Sequence, residues 1–210
     1  MGKLPYGLFG PTNGKIGKLV SYTLRGEQIA RIVGTTTKKR SPKQLASSQR
    51  LIVVNAFLKP IKAFISLGFR FEAEGTSKHQ YSLAMSYHML NATRGEYPNI
   101  EMDFSKIVVS RGKLPPVENL SANKTGKCLK IKWRYNPKAD FENRNDRTMV
   151  LLIFPDKKDP IFFLSGPLRS EGSHSIKLDS LLMELPCYIY VAFSAENQES
   201  VSDSRNVYII

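Results

Sequence analysis

The chain has 210 residues, enough to bury one large core or two small ones, and 41% apolar and 10% aromatic content is that of a globular protein. Two cysteines exclude both a disulfide framework and a cysteine-built zinc cluster. The formal net charge of +13 is unevenly spread: residues 1–70 hold thirteen Lys and Arg against one acid, Glu27, residues 71–113 five of each sign, and residues 114–210 thirteen against twelve. An excess confined to the first third points that part at a polyanionic partner.

Residues 1–17 are rich in Gly and Pro and read as an arm with turns. Two β-prone runs, residues 19–24 and 28–33, flank Arg25-Gly26-Glu27 and predict a hairpin. Thr35-Thr36-Thr37-Lys38-Lys39-Arg40 is a basic connector. Ser41-Pro42 then announces a helix, with Ser as N-cap and Pro at the first helical position, where its missing N–H costs nothing. Leu45, Ile52, Ala56, Phe57, Ile61, Phe64 and Ile65 form its apolar stripe, Gly68 its stop, and Pro60 should kink or divide it. A second helix is predicted over residues 77–91. Alternation at Ile100, Met102 and Phe104, followed by Ile107-Val108-Val109, predicts one or two strands closing an α+β module of hairpin, two helices and a short strand pair. Pro115-Pro116 marks the linker, so the expected domains are 1–113 and 114–210.

In the second half, Pro116-Val117-Glu118-Asn119-Leu120 reads as an opening strand. Leu129-Lys130-Ile131-Lys132-Trp133 alternates and ends on a Trp, and Leu185-Pro186-Cys187-Tyr188-Ile189-Tyr190-Val191-Ala192 carries a Tyr-x-Val-x-Ala-like pattern. With residues 148–154, 161–164, 173–178 and 206–210, this makes about seven short strands. Residues 115–210 therefore resemble a fibronectin type III domain, which implies an all-β sandwich. Ala195-Glu196-Asn197-Gln198 departs from that family's usual Gly turn, and no integrin-type Arg-Gly-Asp is present. The whole chain, through Asn13-Gly14-Lys15-Ile16-Gly17-Lys18, Arg25-Gly26 and Ser41-Pro42-Lys43-Gln44-Leu45-Ala46, resembles an uncharacterised family of Bacteroidota proteins. A Pro-Lys-Gln-x-Ala…Arg pattern of some ten residues is similar to segments of phage virion proteins.

Several chemistries fail on spacing. Gly10 to Ile16 is one residue short of a phosphate loop and has Ile16 where a Mg²⁺-binding hydroxyl is required. His79, His88 and His174 are scattered over both halves, so no metal site or cofactor is expected. Asp140, Glu142 and Asp146 lack calcium-loop spacing and sit among Arg144 and Arg147, which reads as a solvated loop. No nucleophile has a base and an orienting group at recognisable spacing, so the chain is expected not to be an enzyme.

The basic constellation survives: Lys15, Lys18, Arg25, Arg31, Lys38, Lys39, Arg40, Lys43 and Arg50, with Tyr22 among them. Guanidinium and ammonium donors are what phosphate binding needs, and no base-reading motif accompanies them. The expected function is a non-enzymatic binding or assembly protein whose basic module engages nucleic acid or another polyanion without sequence specificity. The alternative is a structural subunit of a phage-like or surface assembly, a homo-oligomer or a larger particle.

Two further expectations concern the sandwich. Residues 149–154, 161–164 and 189–193 are apolar on both faces, so the outer face of one sheet should be covered, by the N-terminal module or another subunit, with Leu151, Ile153, Phe162, Ile189, Val191 and Phe193 as interface. Cys128 and Cys187 should both be free and point outward, with Tyr188, Tyr190 and Ala192 inward. No segment spans a bilayer unaided, because Lys59, Pro60 and Lys62 interrupt the most apolar stretch, residues 51–69. The N-terminus has no apolar run of signal length, and Tyr6 stands where a myristoylation signal needs Ser or Thr. Cytoplasmic synthesis is the default expectation, with a virion-like or non-standard exit left open.

Overall fold

The computed structural model describes residues 2–3 (backbone only), 12–35, 37–138, 140–157 and 159–210. Two compact units emerge, Met1–Ser41 and Pro42–Ile210. The first is an antiparallel sheet of β1 (Gly2–Lys3), β2 (Gly14–Ile16), β3 (Leu19–Leu24) and β4 (Glu27–Ile32) in the order β1-β4-β3-β2. Arg25 and Gly26 both take positive φ, 53° and 81°, as a type I′ hairpin turn requires, and Gly17 at 59° opens the turn before β3. The predicted hairpin is therefore present. β2 lies inside the stretch read as an arm, because three residues beginning with Gly are too few to show alternation. The rest of that arm, residues 1 and 4–11, lies outside the described residues. Among the described residues of this unit Ile29 is the only buried hydrophobic side chain, beside buried Ser21 and Gln28.

The second unit begins with α1 (Pro42–Leu58) and α2 (Lys62–Gly68), bent 93° from each other. Pro60 is the cause: it offers no N–H to the carbonyl of Ala56, so the ladder stops. Short α3 (Arg70–Ala73) follows, then α4 (Gln80–Asn91). The predicted second helix starts three residues late, at the point where His79 Nδ1 accepts the Tyr81 N–H at 3.2 Å and caps the first turn. β5 (Thr93–Arg94) and β6 (Glu101–Met102) form a short strand pair, of which β6 falls in the expected run 100–104 and β5 lies outside the residues expected as strands.

Residues 107–109 pair with no strand among the described residues. The Val109 N–H donates instead to Ser204 Oγ at 3.0 Å, and the neighbouring Ser110 Oγ donates to the Ser202 carbonyl at 2.7 Å. Gly68 and Gly112 let this segment come close. A Cβ on Gly68 would stand 2.2 Å from the Val109 carbonyl oxygen, and one on Gly112 only 1.9 Å from that of Val201.

The sandwich follows: β7 (Ser121–Thr125), β8 (Cys128–Lys132), β9 (Arg147–Ile153), β10 (Ile161–Phe163), β11 (Ser173–Lys177), a helical turn α5 (Ser180–Met183), β12 (Cys187–Ser194) and β13 (Arg205–Ile209). One sheet runs β10-β9-β12-β13 and the other β11-β8-β7, all pairs antiparallel. The first strand lies later than residues 116–120, because Pro115 and Pro116 lack N–H groups and Asn119 adopts φ 48°. The turn without a Gly is made by Gln198 at φ 56°.

Each face of the four-stranded sheet has its own core. Val150, Leu152, Ile189, Val191 and Phe193 pack with Leu129, Ile131 and Trp133 inside the sandwich. Met149, Leu151, Ile153, Tyr190 and Ala192 pack with Val54, Leu58, Ile61, Phe64 and Ile65 of the helices. The helices thus cover the outer face, with Phe64 edge-on to Phe162 at 6.3 Å between ring centroids.

This corrects the expected facing of β12. Ile189, Val191 and Phe193 are sandwich core, not interface, while Leu151, Ile153 and Phe162 do meet the helices. Tyr190 turns to the helical side because its hydroxyl finds an acceptor there, the Phe104 carbonyl at 2.5 Å. Cys187 is consequently buried in the sandwich, not outward, and Cys128 is half-buried; both are free. The expected boundary at 113/114 is not a boundary between compact units, because one core joins residues 54–109 to the sheet.

Candidate functional site

Strand register sorts the cations of the N-terminal unit. Lys15 pairs with Val20 and Val20 with Arg31, so Lys15 and Arg31 share one face of the sheet. Tyr22 and Ile29, two positions along β3 and β4, share it too. Lys18 and Arg25 occupy the turns at opposite ends of β3, so the cations of this sheet are spread over about 20 Å rather than focused on one point. Lys38, Lys39 and Arg40 are exposed in the connector. Lys43 and Arg50 belong to the second unit, on the first turns of α1.

Arg25 is unusual among these. A left-handed conformation costs a non-glycine residue about 1–2 kcal/mol, and this hairpin position favours Asn or Gly. A cation is held at the tip despite that cost.

The other face of the same sheet carries an apolar row. Ile16, Leu19 and Ile32 are in register across three strands and exposed. Around them Thr12 Oγ1 meets Ser21 Oγ at 2.9 Å, and Gln28 Nε2 donates to the Thr12 carbonyl.

In the second unit the loop 140–146 is more than a solvated loop. Arg169, almost fully buried, lies 4.5 Å above the Phe193 ring, donates to the Pro115 carbonyl at 3.0 Å, and pairs with Asp140 at 3.5 Å and Asp146 at 3.6 Å. Burial raises the Asp146 carboxyl to about 6 against the pull of Arg169. Local spacing could not reveal this cluster, since its arginine comes from a later loop. Asp146 also lines an open cavity of about 630 Å³ with Phe141, Arg144, Asn145 and Glu196. Burial likewise lowers His88 to about 4, and its Nδ1 approaches the Ala84 carbonyl at 2.6 Å, in keeping with a packing role. Among the described residues no three His, Cys, Asp or Glu side chains converge as a metal site, and no single helix is long and apolar enough to cross a membrane.

A family model described as a family of unknown function, DUF6266, matches residues 11–209. The chain belongs to that family. The match takes in both compact units of this DUF6266 member, so the basic sheet from residue 11 onward is part of the family's architecture and not an appendage to it. No curated protein matches the chain.

Proposed function

We propose that this DUF6266 protein is a non-catalytic binding or assembly protein whose N-terminal sheet engages a polyanion, most directly nucleic acid read through its phosphates. The observation that carries the reading is the cation layout of residues 1–41. Eight Lys and Arg stand against Glu27 alone, two of them aligned on one sheet face beside Tyr22 and two at opposite turns. A spread of about 20 Å suits a chain of phosphates better than a single small anion. The left-handed Arg25 supports it, since a cation is kept where a neutral residue would relieve strain. Among the described residues this unit buries only Ile29 of its hydrophobic side chains, and a sheet of that kind gains stability from whatever it binds. For the second unit, a four-stranded and a three-stranded antiparallel sheet of seven strands in all support a fibronectin type III-like sandwich.

The test is fluorescence anisotropy with scrambled-sequence single- and double-stranded oligonucleotides at low salt. Binding indifferent to sequence is expected, tighter at low salt than the Kd of about 10⁻⁴–10⁻⁶ M typical of physiological salt, and it should weaken in the Lys15→Glu/Arg31→Glu variant. Absence of binding by the folded protein would overturn the reading.

The exposed Ile16–Leu19–Ile32 row favours a second reading, a structural subunit joined through protein contacts. Ordered oligomers in size-exclusion light scattering, broken by Ile32→Lys and without oligonucleotide binding, would support that alternative.

A further inference from the structure

The helix break at Pro60 does more than turn the chain. The corner between α1 and α2, closed by the loop after β9 and by residues 102–104, encloses a pocket of about 440 Å³. That volume falls in the range of small-molecule sites, and the lining is almost wholly apolar. Ile61, Met102, Ile153 and Phe154 form a buried floor, with Phe57 and Phe104 as aromatic walls.

These walls are held in place before any ligand arrives. Phe104 stacks on Tyr188 at 5.3 Å between ring centroids, and its carbonyl accepts the Tyr190 hydroxyl at 2.5 Å. Phe57 packs edge-on to Phe104 at 6.3 Å. Pro60, Pro155 and Pro160, with fixed φ, make up part of the rim, so little chain entropy is lost on binding. The mouth is open at Ala56 and Lys157, both exposed. Lys157 is the one charged side chain among the described lining residues; Asp156 and Asp159 stand in the same loop but do not line the pocket.

We propose that this pocket binds a small amphiphilic anion, its aromatic or aliphatic body against Phe57, Phe104 and Ile153 and its carboxylate or sulfonate head at the Lys157 ammonium. A desolvated body beside the Lys157 cation at the mouth is the arrangement that separates such a molecule from its neutral counterpart. The polyanion surface lies in the other unit and shares no residue with the pocket, so either proposal can fail alone.

The experiment titrates the full chain with two fluorescent probes of one skeleton, anilinonaphthalene sulfonate and neutral phenylnaphthylamine. The sulfonate should bind at one site per chain, about tenfold more tightly than the neutral probe. Ala56→Trp, at an exposed helix position where the fold has no reason to suffer, should fill the mouth and weaken both probes by about tenfold or more. Lys157→Glu should weaken the sulfonate alone and abolish the preference, while Ile32→Lys, on the exposed row of the N-terminal sheet, should change neither. Equal binding of the two probes, retention of the preference in Lys157→Glu, or displacement by Ile32→Lys rather than Ala56→Trp would overturn the proposal. If Ala56→Trp does not fold, competition decides: decanoate should displace the sulfonate more effectively than decanol, and the reverse order refutes the anionic head.

Discussion

Gly112→Ala tests whether residues 107–116 are a hinge or a lock. The added methyl would stand 1.9 Å from the Val201 carbonyl oxygen and 2.6 Å from its carbon, both backbone atoms with no side-chain freedom to yield. That carbonyl already accepts the Leu114 N–H at 3.1 Å, and the Gly112 N–H donates to Asp203 Oδ1 at 3.1 Å. Moving the segment away therefore breaks hydrogen bonds on both sides. Overpacking alone costs about 1–3 kcal/mol, and the displaced bonds take the total to about 3 kcal/mol or more. For a chain of this size, that is a fall in Tm of about 6–12 °C by calorimetry. Gly166→Ala grades the argument. Its nearest contacts are 3.0 Å from His174 Cε1 and 3.1 Å from the Thr148 carbonyl, which need yield only a little, so the loss should be under about 1 kcal/mol. A wild-type Tm for Gly112→Ala would refute the lock and restore a flexible linker at Pro115-Pro116.

Residues 114–210 alone should bind a hydrophobic dye strongly, since the helices no longer cover Leu151 and Tyr190; Leu151→Lys should relieve this, whereas Val191→Lys, in the sandwich core, should unfold the fragment. Thiol titration of the native protein should modify Cys128 and spare Cys187, whose thiol burial pushes up to about 12, and denaturation should expose both. Asp146 and His88 should give opposing pH slopes. Asp146 is raised from 3.8 to about 6, so its stabilising contribution is full at low pH and is lost as pH rises through 6. His88 is lowered from 6.5 to about 4, so its contribution is full above 6.5 and is lost as pH falls toward 4. In urea titrations, Asp146→Asn should leave a protein that weakens more steeply on acidification, and His88→Gln one that weakens less; the opposite order would contradict the burial of both groups. Arg25→Asn should stabilise the hairpin by about 1 kcal/mol while weakening oligonucleotide binding; stronger binding would remove the strain argument.

Much of this architecture was legible in the sequence. Arg25-Gly26 between β-prone runs, Pro42 at a helix start and Pro60 at its break each act through local backbone chemistry, and each appears where expected. Facing was not legible in β12, because both of its alternating sets are apolar. Only a tertiary partner, the Phe104 carbonyl for the Tyr190 hydroxyl, decides between them. The Arg169 cluster and the Pro60 pocket were hidden for a related reason. Their residues come from segments far apart in the chain, and no single segment carries a motif. The cations of residues 1–41 were visible as composition, while their faces and ends required strand register.

The most direct measurement is the salt dependence of oligonucleotide binding by the full chain. If the sheet and connector neutralise several phosphates, log K should fall against log salt with a slope of about −4 to −6. Replacing Lys38, Lys39 and Arg40 together by Glu should flatten that slope while circular dichroism stays unchanged. A slope near zero, or a slope untouched by the triple reversal and by Lys15→Glu/Arg31→Glu alike, would contradict the polyanion account.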